Sequence, residues 1–259
     1  MKVIVEKIKY ELDTDNKTAV VKNPIDIPVK VIIPEYVEYE NEKYKVTSIG
    51  DFAFGECDSL TSVIIGNSVT SIGYMAFWSC YSLTSITIPD SVTFIDNEAF
   101  SYCHNLTSIN IPDNVSFIGN VAFLNIGLTL PKRYTEDGKL IAYKAFNDDM
   151  TCRTFQYEEG KSYEIEGKIK LCNRGFHACT NPLDIFNYYN GQIGEDIVIH
   201  EVYLSGEIDE DNKYDSKVCA SKIEIGKRLS LKDINNIINN MNIYLGMFVI
   251  NNTIDDSVS

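Results

Sequence analysis

The sequence predicts a solenoid of 23-residue coils followed by a compact α+β unit. Three observations carry this. A pentapeptide returns at a fixed offset: Val46-Thr47-Ser48-Ile49-Gly50, Val69-Thr70-Ser71-Ile72-Gly73, Val92-Thr93-Phe94-Ile95-Asp96 and Val115-Ser116-Phe117-Ile118-Gly119. The same frame repeats Ala53/Ala76/Ala99/Ala122, Phe54/Phe77/Phe100/Phe123, Cys57/Cys80/Cys103, Leu60/Leu83/Leu106 and Ile65/Ile88/Ile111. After Pro131 the period stops, and basic residues, absent from 46–131, number 15 over 132–259. A period of this length is the mark of stacked coils. The predicted boundaries are 1–131 for the solenoid and 132–259 for the second unit.

Each coil has two legible parts. Leu60-x-x-Val63-x-Ile65, Leu83-x-x-Ile86-x-Ile88 and Leu106-x-x-Ile109-x-Ile111 alternate as strands with their apolar residues inward. Pro89 and Pro112 stop the second and third, since proline has no N–H to continue a ladder. Ala76-Phe77, Cys80 and Leu83 fall at steps of three and four, which predicts a short helical turn. These residues resemble the BspA-like leucine-rich repeat family over 46 to about 123. The resemblance implies a leucine-rich solenoid. Ala19-Val20-Val21 and Val31-Ile32-Ile33-Pro34 look like its opening coil, with an insertion between Pro34 and Val46. The last coil departs from the pattern, with Ile126 in the place of Cys and Leu128-Thr129-Leu130-Pro131 arriving early. Terminal coils of a solenoid are expected to differ, because they must cap it.

The outward strand positions Ser62, Ile64, Ser85, Thr87, Ser108 and Asn110 form a small, uncharged strip. Little charge would be desolvated there on docking, so the strip is the candidate contact surface for a protein partner. It could equally face water or the chain's own second half. Trp78 and Tyr81, with Tyr74 and Tyr102, are candidate binding aromatics or a packed ladder on the opposite side. Cys57, Cys80 and Cys103 read as a row of small buried side chains rather than ligands. The net charge is −14, which disfavours nucleic acid and anionic membranes. No apolar stretch is long enough to span a bilayer, and residues 1–10 lack the pattern of a signal peptide. Seven cysteines cannot all pair, and the expectation is reduced thiols in the cytoplasm. The oligomeric state is not readable.

In the second half, 140–146, 162–165, 167–172, 196–203 and 221–225 read as strands, with an acidic loop from Glu207 to Asp211. Asn181-Pro182 starts a helix running to about Tyr189. Ser230 caps another that carries Leu231, Ile234, Ile238 and Met241. Tyr143-Lys144-Ala145-Phe146, Tyr157 to Tyr163 and Gly175-Phe176-His177-Ala178-Cys179-Thr180-Asn181-Pro182 are similar to an uncharacterised module of phage and bacterial proteins. Cys172, His177 and Cys179, with Cys152 or Cys219, could hold zinc, but the usual Cys-x-x-Cys pairs are missing. Cys172 or Cys179 with His177 could form a nucleophile and base. A remote likeness in residue order to ADP-ribosyltransferases implies NAD handled by Lys144 or Tyr143, His177 and Glu224. The bland alternative has His177 and Cys179 bracing the turn before the helix, with no metal or cofactor. The leading expectation is a protein-interaction module, in its narrower form a phage- or prophage-encoded inhibitor of a host protein complex. The alternatives are an NAD-handling enzyme and a surface adhesin.

Overall fold

A large ring placed once per coil can leave water only by lying against its copy in the next coil. The computed structural model, which describes residues 1–25, 29–189, 191–193, 195–210 and 216–240, shows that stack. Phe54, Phe77, Phe100 and Phe123 are all buried, with centroids 5.3, 5.3 and 5.7 Å apart and planes within 6° of parallel. Cys80 and Cys103 lie in an adjacent row, where their thiols donate to the carbonyls of Phe54 and Phe77 at 3.0 and 3.1 Å. Burial pushes the Cys57 thiol up to about 12, the property of a packed side chain rather than a reactive one.

The chain opens with β1 (Lys2–Val5), β2 (Ile8–Asp13) and β3 (Thr18–Lys22), an antiparallel meander. β4 (Lys30–Ile33) begins a second sheet, and β5 (Tyr36–Tyr39) pairs antiparallel with β6 (Glu42–Ile49). The insertion after Pro34 is therefore a hairpin, turned by Glu40 and Asn41 at φ 51° and 64°. β7 (Ser62–Ile65), β8 (Ser71–Ile72), β9 (Ser85–Thr87), β10 (Phe94–Ile95) and β11 (Phe117–Ile118) complete the coils. Two parallel ladders result, β6-β8-β10-β11 and β4-β7-β9. At 107–111 the expected third strand keeps its alternation, with Ile109 and Ile111 buried and Ser108 and Asn110 exposed. Among the described residues it pairs with no neighbouring strand.

The third side of each coil is a series of turns, not the helical turn expected. Phe52, Met75, Glu98 and Val121, one per coil, have φ near +50°, as do Glu56, Ser79, Tyr102 and Asn125 four residues on. This alternation sends every second N–H along the solenoid axis. Phe77 donates to Ala99 at 2.8 Å and Ser79 to Ser101 at 2.9 Å, while Ala76 and Trp78 bond within the coil. A helix would spend all its donors on itself and leave the coils unbonded here. Left-handed non-glycine residues cost roughly 1–2 kcal/mol each, and the inter-coil bonds offset that strain.

The second half contains β12 (Arg133–Tyr134), β13 (Leu140–Asn147), β14 (Thr151–Cys152), β15 (Phe155–Gln156), β16 (Ser162–Glu164) and β17 (Phe176–Cys179). A 3-10 helix over Pro182–Asn187 follows, then β18 (Gly191–Gln192), β19 (Ile197–Glu210), β20 (Lys217–Leu229) and a helix over 231–240. Its sheet runs β12-β13-β17-β20-β16, with β19 bonded to both β13 and β20. Three expectations are corrected. Residues 167–172 form no strand but a tight turn closed by the Lys170–Arg174 bridge. The acidic stretch from Glu207 to Glu210 continues β19, because β20 offers it a full antiparallel partner; Asp211 lies outside the described residues. The helix capped by Asn181, whose side chain accepts from the Leu183 N–H, is 3-10 and ends at Asn187. Met241 also lies outside the described residues.

The second half finishes all three sides of the solenoid. Phe186 from the 3-10 helix meets Phe123 edge-on at 6.2 Å, and its carbonyl accepts from Val121 at 2.8 Å. β18 pairs with β11, and Ile193 donates to Ser116 at 2.8 Å. The Asn235 amide imitates a peptide unit on the third side: Oδ1 accepts from the Ile111 N–H at 3.1 Å, and Nδ2 donates to the Ile111 carbonyl. One hydrophobic core accordingly extends from Val3 through the coils to Ile238, and a second lies around Phe146, Val202 and Ile223. Phe100→Ala is expected to cost about 3–5 kcal/mol, and Asn235→Ala about 1–3 kcal/mol by orphaning two buried backbone groups. Urea unfolding followed through Trp78 fluorescence measures both.

Candidate active site

Strands β13 and β17 share a single registered pair, Tyr143 with Cys179. Beyond it they separate, since β13 takes its full-length partner from β19 on the other edge. The opening is a cavity of about 570 Å³, within the usual size range of small-molecule sites. β13 contributes Tyr143, Lys144 and Ala145; the β14–β15 hairpin contributes Cys152, Arg153 and Phe155; β17 contributes Phe176, His177 and Cys179. Tyr188 and Tyr189 after the 3-10 helix, and Lys217 at the start of β20, complete the wall.

Lys144 is the unusual residue. Alternation along β13 turns it to the same face as Ala142 and Phe146, and it is only 6% exposed. Its Nζ donates to the His177 carbonyl at 3.0 Å and approaches Cys152 Sγ at 3.5 Å. The same ammonium lies 5.4 and 5.9 Å from the ring centres of Phe146 and Tyr157. Burial lowers its pKa, with the Cys152 sulfur opposing. Cys152 Sγ is also 3.1 Å from the Tyr189 hydroxyl, whose pKa burial and that sulfur raise.

His177 lines the cavity, and its Nε2 is buried without a hydrogen-bond partner. Burial, then Lys217, Lys144 and Arg153, push its pKa down to about 4. The ring is therefore neutral at pH 7, able to accept a hydrogen bond or a proton. Tyr143 is held at about 12 by burial, although Arg133 donates to its hydroxyl.

The expected residues are only partly united. Lys144, His177 and Cys179 share the cavity with Tyr143 and Cys172, but Glu224 does not. Cys219 stands opposite His177, and Glu224 is five residues farther along β20, about 17 Å away at the rise of a strand. Its carboxylate accepts from Lys139 at 2.9 Å. The constellation implied by the ADP-ribosyltransferase likeness is thus not assembled. Among the described residues no three His, Cys, Asp or Glu converge as metal ligands. Sequence reading missed Arg153, Tyr188, Tyr189 and Lys217, which come from separate elements. The signal it could have used was Lys144 alone within an otherwise apolar strand.

The strip residues Ser62, Ile64, Ser85 and Thr87 stand on β7 and β9, with Ser108 and Asn110 in line beyond them. Trp78 and Tyr81 belong to the turn side instead. Tyr81 stacks on His104 at 5.6 Å, and Trp78 is half-buried.

The depressed pKa of His177 makes a signed prediction. The unfolded chain binds a proton at His177 below about pH 6.5 that the folded chain refuses until about pH 4. Stability therefore falls as pH drops through that window. His177→Gln is expected to flatten the fall; equal slopes for both proteins in urea titrations at pH 7 and 4.5 would contradict the assignment.

Comparison with known proteins now bears on both halves. Residues 36–154 match the BspA type leucine rich repeat region in six copies, and residues 140–237 match a domain of unknown function, DUF7666. A leucine-rich repeat protein from Bacteroides ovatus is 36% identical, with 49% of this chain and 33% of that chain covered and a TM-score of 0.47. One from Bacteroides capillosus is 32% identical, with 47% and 89% covered and a TM-score of 0.43. The leucine-rich repeat protein of T. pallidum is 27% identical, with 48% and 56% covered and a TM-score of 0.42. This chain spans about a third of the length of the Bacteroides ovatus protein. No curated protein matches it. Over residues 36–154 the chain is a BspA type leucine rich repeat region.

Proposed function

We propose that the chain is a protein-binding module whose contact surface is the strip formed by β4, β7 and β9. The observation that carries this is a pair of exposed isoleucines on one rung. Ile32 and Ile64 are registered neighbours, 67% and 51% exposed, with Thr87 next in the row. A parallel row, Lys30, Ser62 and Ser85, runs beside it. Neighbouring apolar side chains amid small hydroxyls give a surface that loses water readily and carries little charge. The acidic residues elsewhere on the coils favour a partner with a basic rim.

We place its action in the cytoplasm, a reading supported by the seven cysteines, an odd number that cannot all pair within the chain. The narrower form, a phage- or prophage-encoded inhibitor of a host protein complex, applies if the partner is a subunit of such a complex.

Ile32→Thr/Ile64→Thr is expected to preserve the fold, because exposed substitutions shift stability by about 0.5 kcal/mol or less. In pull-downs from bacterial cytoplasm, that variant should lose the proteins the parent retains at least tenfold. An unchanged set of bound proteins would remove the strip as the contact surface.

A further inference from the structure

The cavity between β13 and β17 has a charge pattern opposite to that of the whole chain. The protein carries 37 acidic and 23 basic residues. Yet the described residues lining this cavity include Lys144, Arg153 and Lys217, and no carboxylate. The contrast is not local dilution of charge, because three cations converge on one small volume.

Lys144 sharpens the point. A buried ammonium ordinarily has a carboxylate partner, since its desolvation is otherwise uncompensated. Here its neighbours are a carbonyl, a thiol and two aromatic faces, all formally neutral. The nearby His177 Nε2 is buried and unsatisfied. The wall thus holds one under-compensated cation and one orphaned polar atom, two independent marks of a missing ligand.

The aromatic residues define the rest of that ligand. Phe155 and Tyr188 come from different elements, line the same cavity, and are 46% and 43% exposed. Lys217 Nζ lies over one face of the Tyr188 ring, 3.8 Å from its centre, so a planar group can stack only on the opposite face. A phosphoester brings two or more charges to a wall lined by three cations, and the Arg153 fork suits phosphate oxygens.

We propose that this cavity is a nucleotide-binding site, with the phosphates held by Lys144, Lys217 and Arg153 and the base against Phe155 and Tyr188. It takes a nucleoside phosphate by charge and stacking together. With Glu224 bound to Lys139 elsewhere on the sheet, the site binds without the carboxylate that a glycosyl transfer from NAD would require. The proposal is independent of the strip on the coils.

Calorimetric titration of the full chain with adenosine, guanosine and uridine diphosphates and with inorganic pyrophosphate tests it. At least one diphosphate should bind more tightly than pyrophosphate, and saturation should raise the melting temperature. Lys144→Met removes the buried cation and should weaken binding at least tenfold. If that variant misfolds, Lys217→Gln, at a half-buried position, should still weaken binding severalfold. Tyr188→Ala should weaken the diphosphate but not pyrophosphate. No binding of any diphosphate at millimolar concentration, or equal binding by the parent and both lysine variants, would overturn the site. Pyrophosphate binding as tightly as every diphosphate would overturn the assignment of the base.

Discussion

An unfinished stack of side chains governs this molecule. Each Phe of the coils is covered by the Phe of the next, so the last coil presents Phe123, Ile111 and Ile118 with nothing of their own kind to follow. A solenoid that stopped there would expose apolar rings and unpaired backbone at once. The second half answers with three different elements: the Phe186 ring, the β18 backbone and the Asn235 amide. None of them repeats the coil sequence. Each reproduces only the chemistry that the coil would have supplied at that side.

This explains how a domain of unknown function can be tied to a repeat array. DUF7666 extends over residues 140–237 and the repeat match over 36–154, so the two overlap on β13. In space they also share a strand: Tyr143 and Ala145 belong to the core of the coils, while Ala142 and Phe146 face the second core. Lys144 is on the latter face. Its burial thus follows from β13 being covered on both sides, and the cavity follows from β17 leaving β13 after one registered pair.

The repeats were legible because stacking demands the same residue at the same place, which sequence displays directly. The conformation of the turn side was not legible. Steps of three and four at Ala76, Cys80 and Leu83 fit a helix as well as a run of turns, and Met75 and Ser79 give no glycine signal for their positive φ. The hairpin at Glu40-Asn41 was seen only as extra length. In the second half, the motif from Gly175 to Pro182 was legible, and its residues Gly175 to Cys179 line the cavity. Glu224 was assigned by order along the chain, but strand register places it about 17 Å from the position opposite His177. Tyr188, Arg153 and Lys217 were hidden because convergence of separate elements leaves no spacing to read.

Native-state hydrogen exchange in increasing urea, resolved by peptide, tests most directly whether the second half completes the core of the coils. Residues 115–124, 183–189 and 231–238 are predicted to open together, with one free energy and one urea dependence. Early, separate opening of 183–189 and 231–238 while 115–124 stayed protected would show that the coils need no such closure.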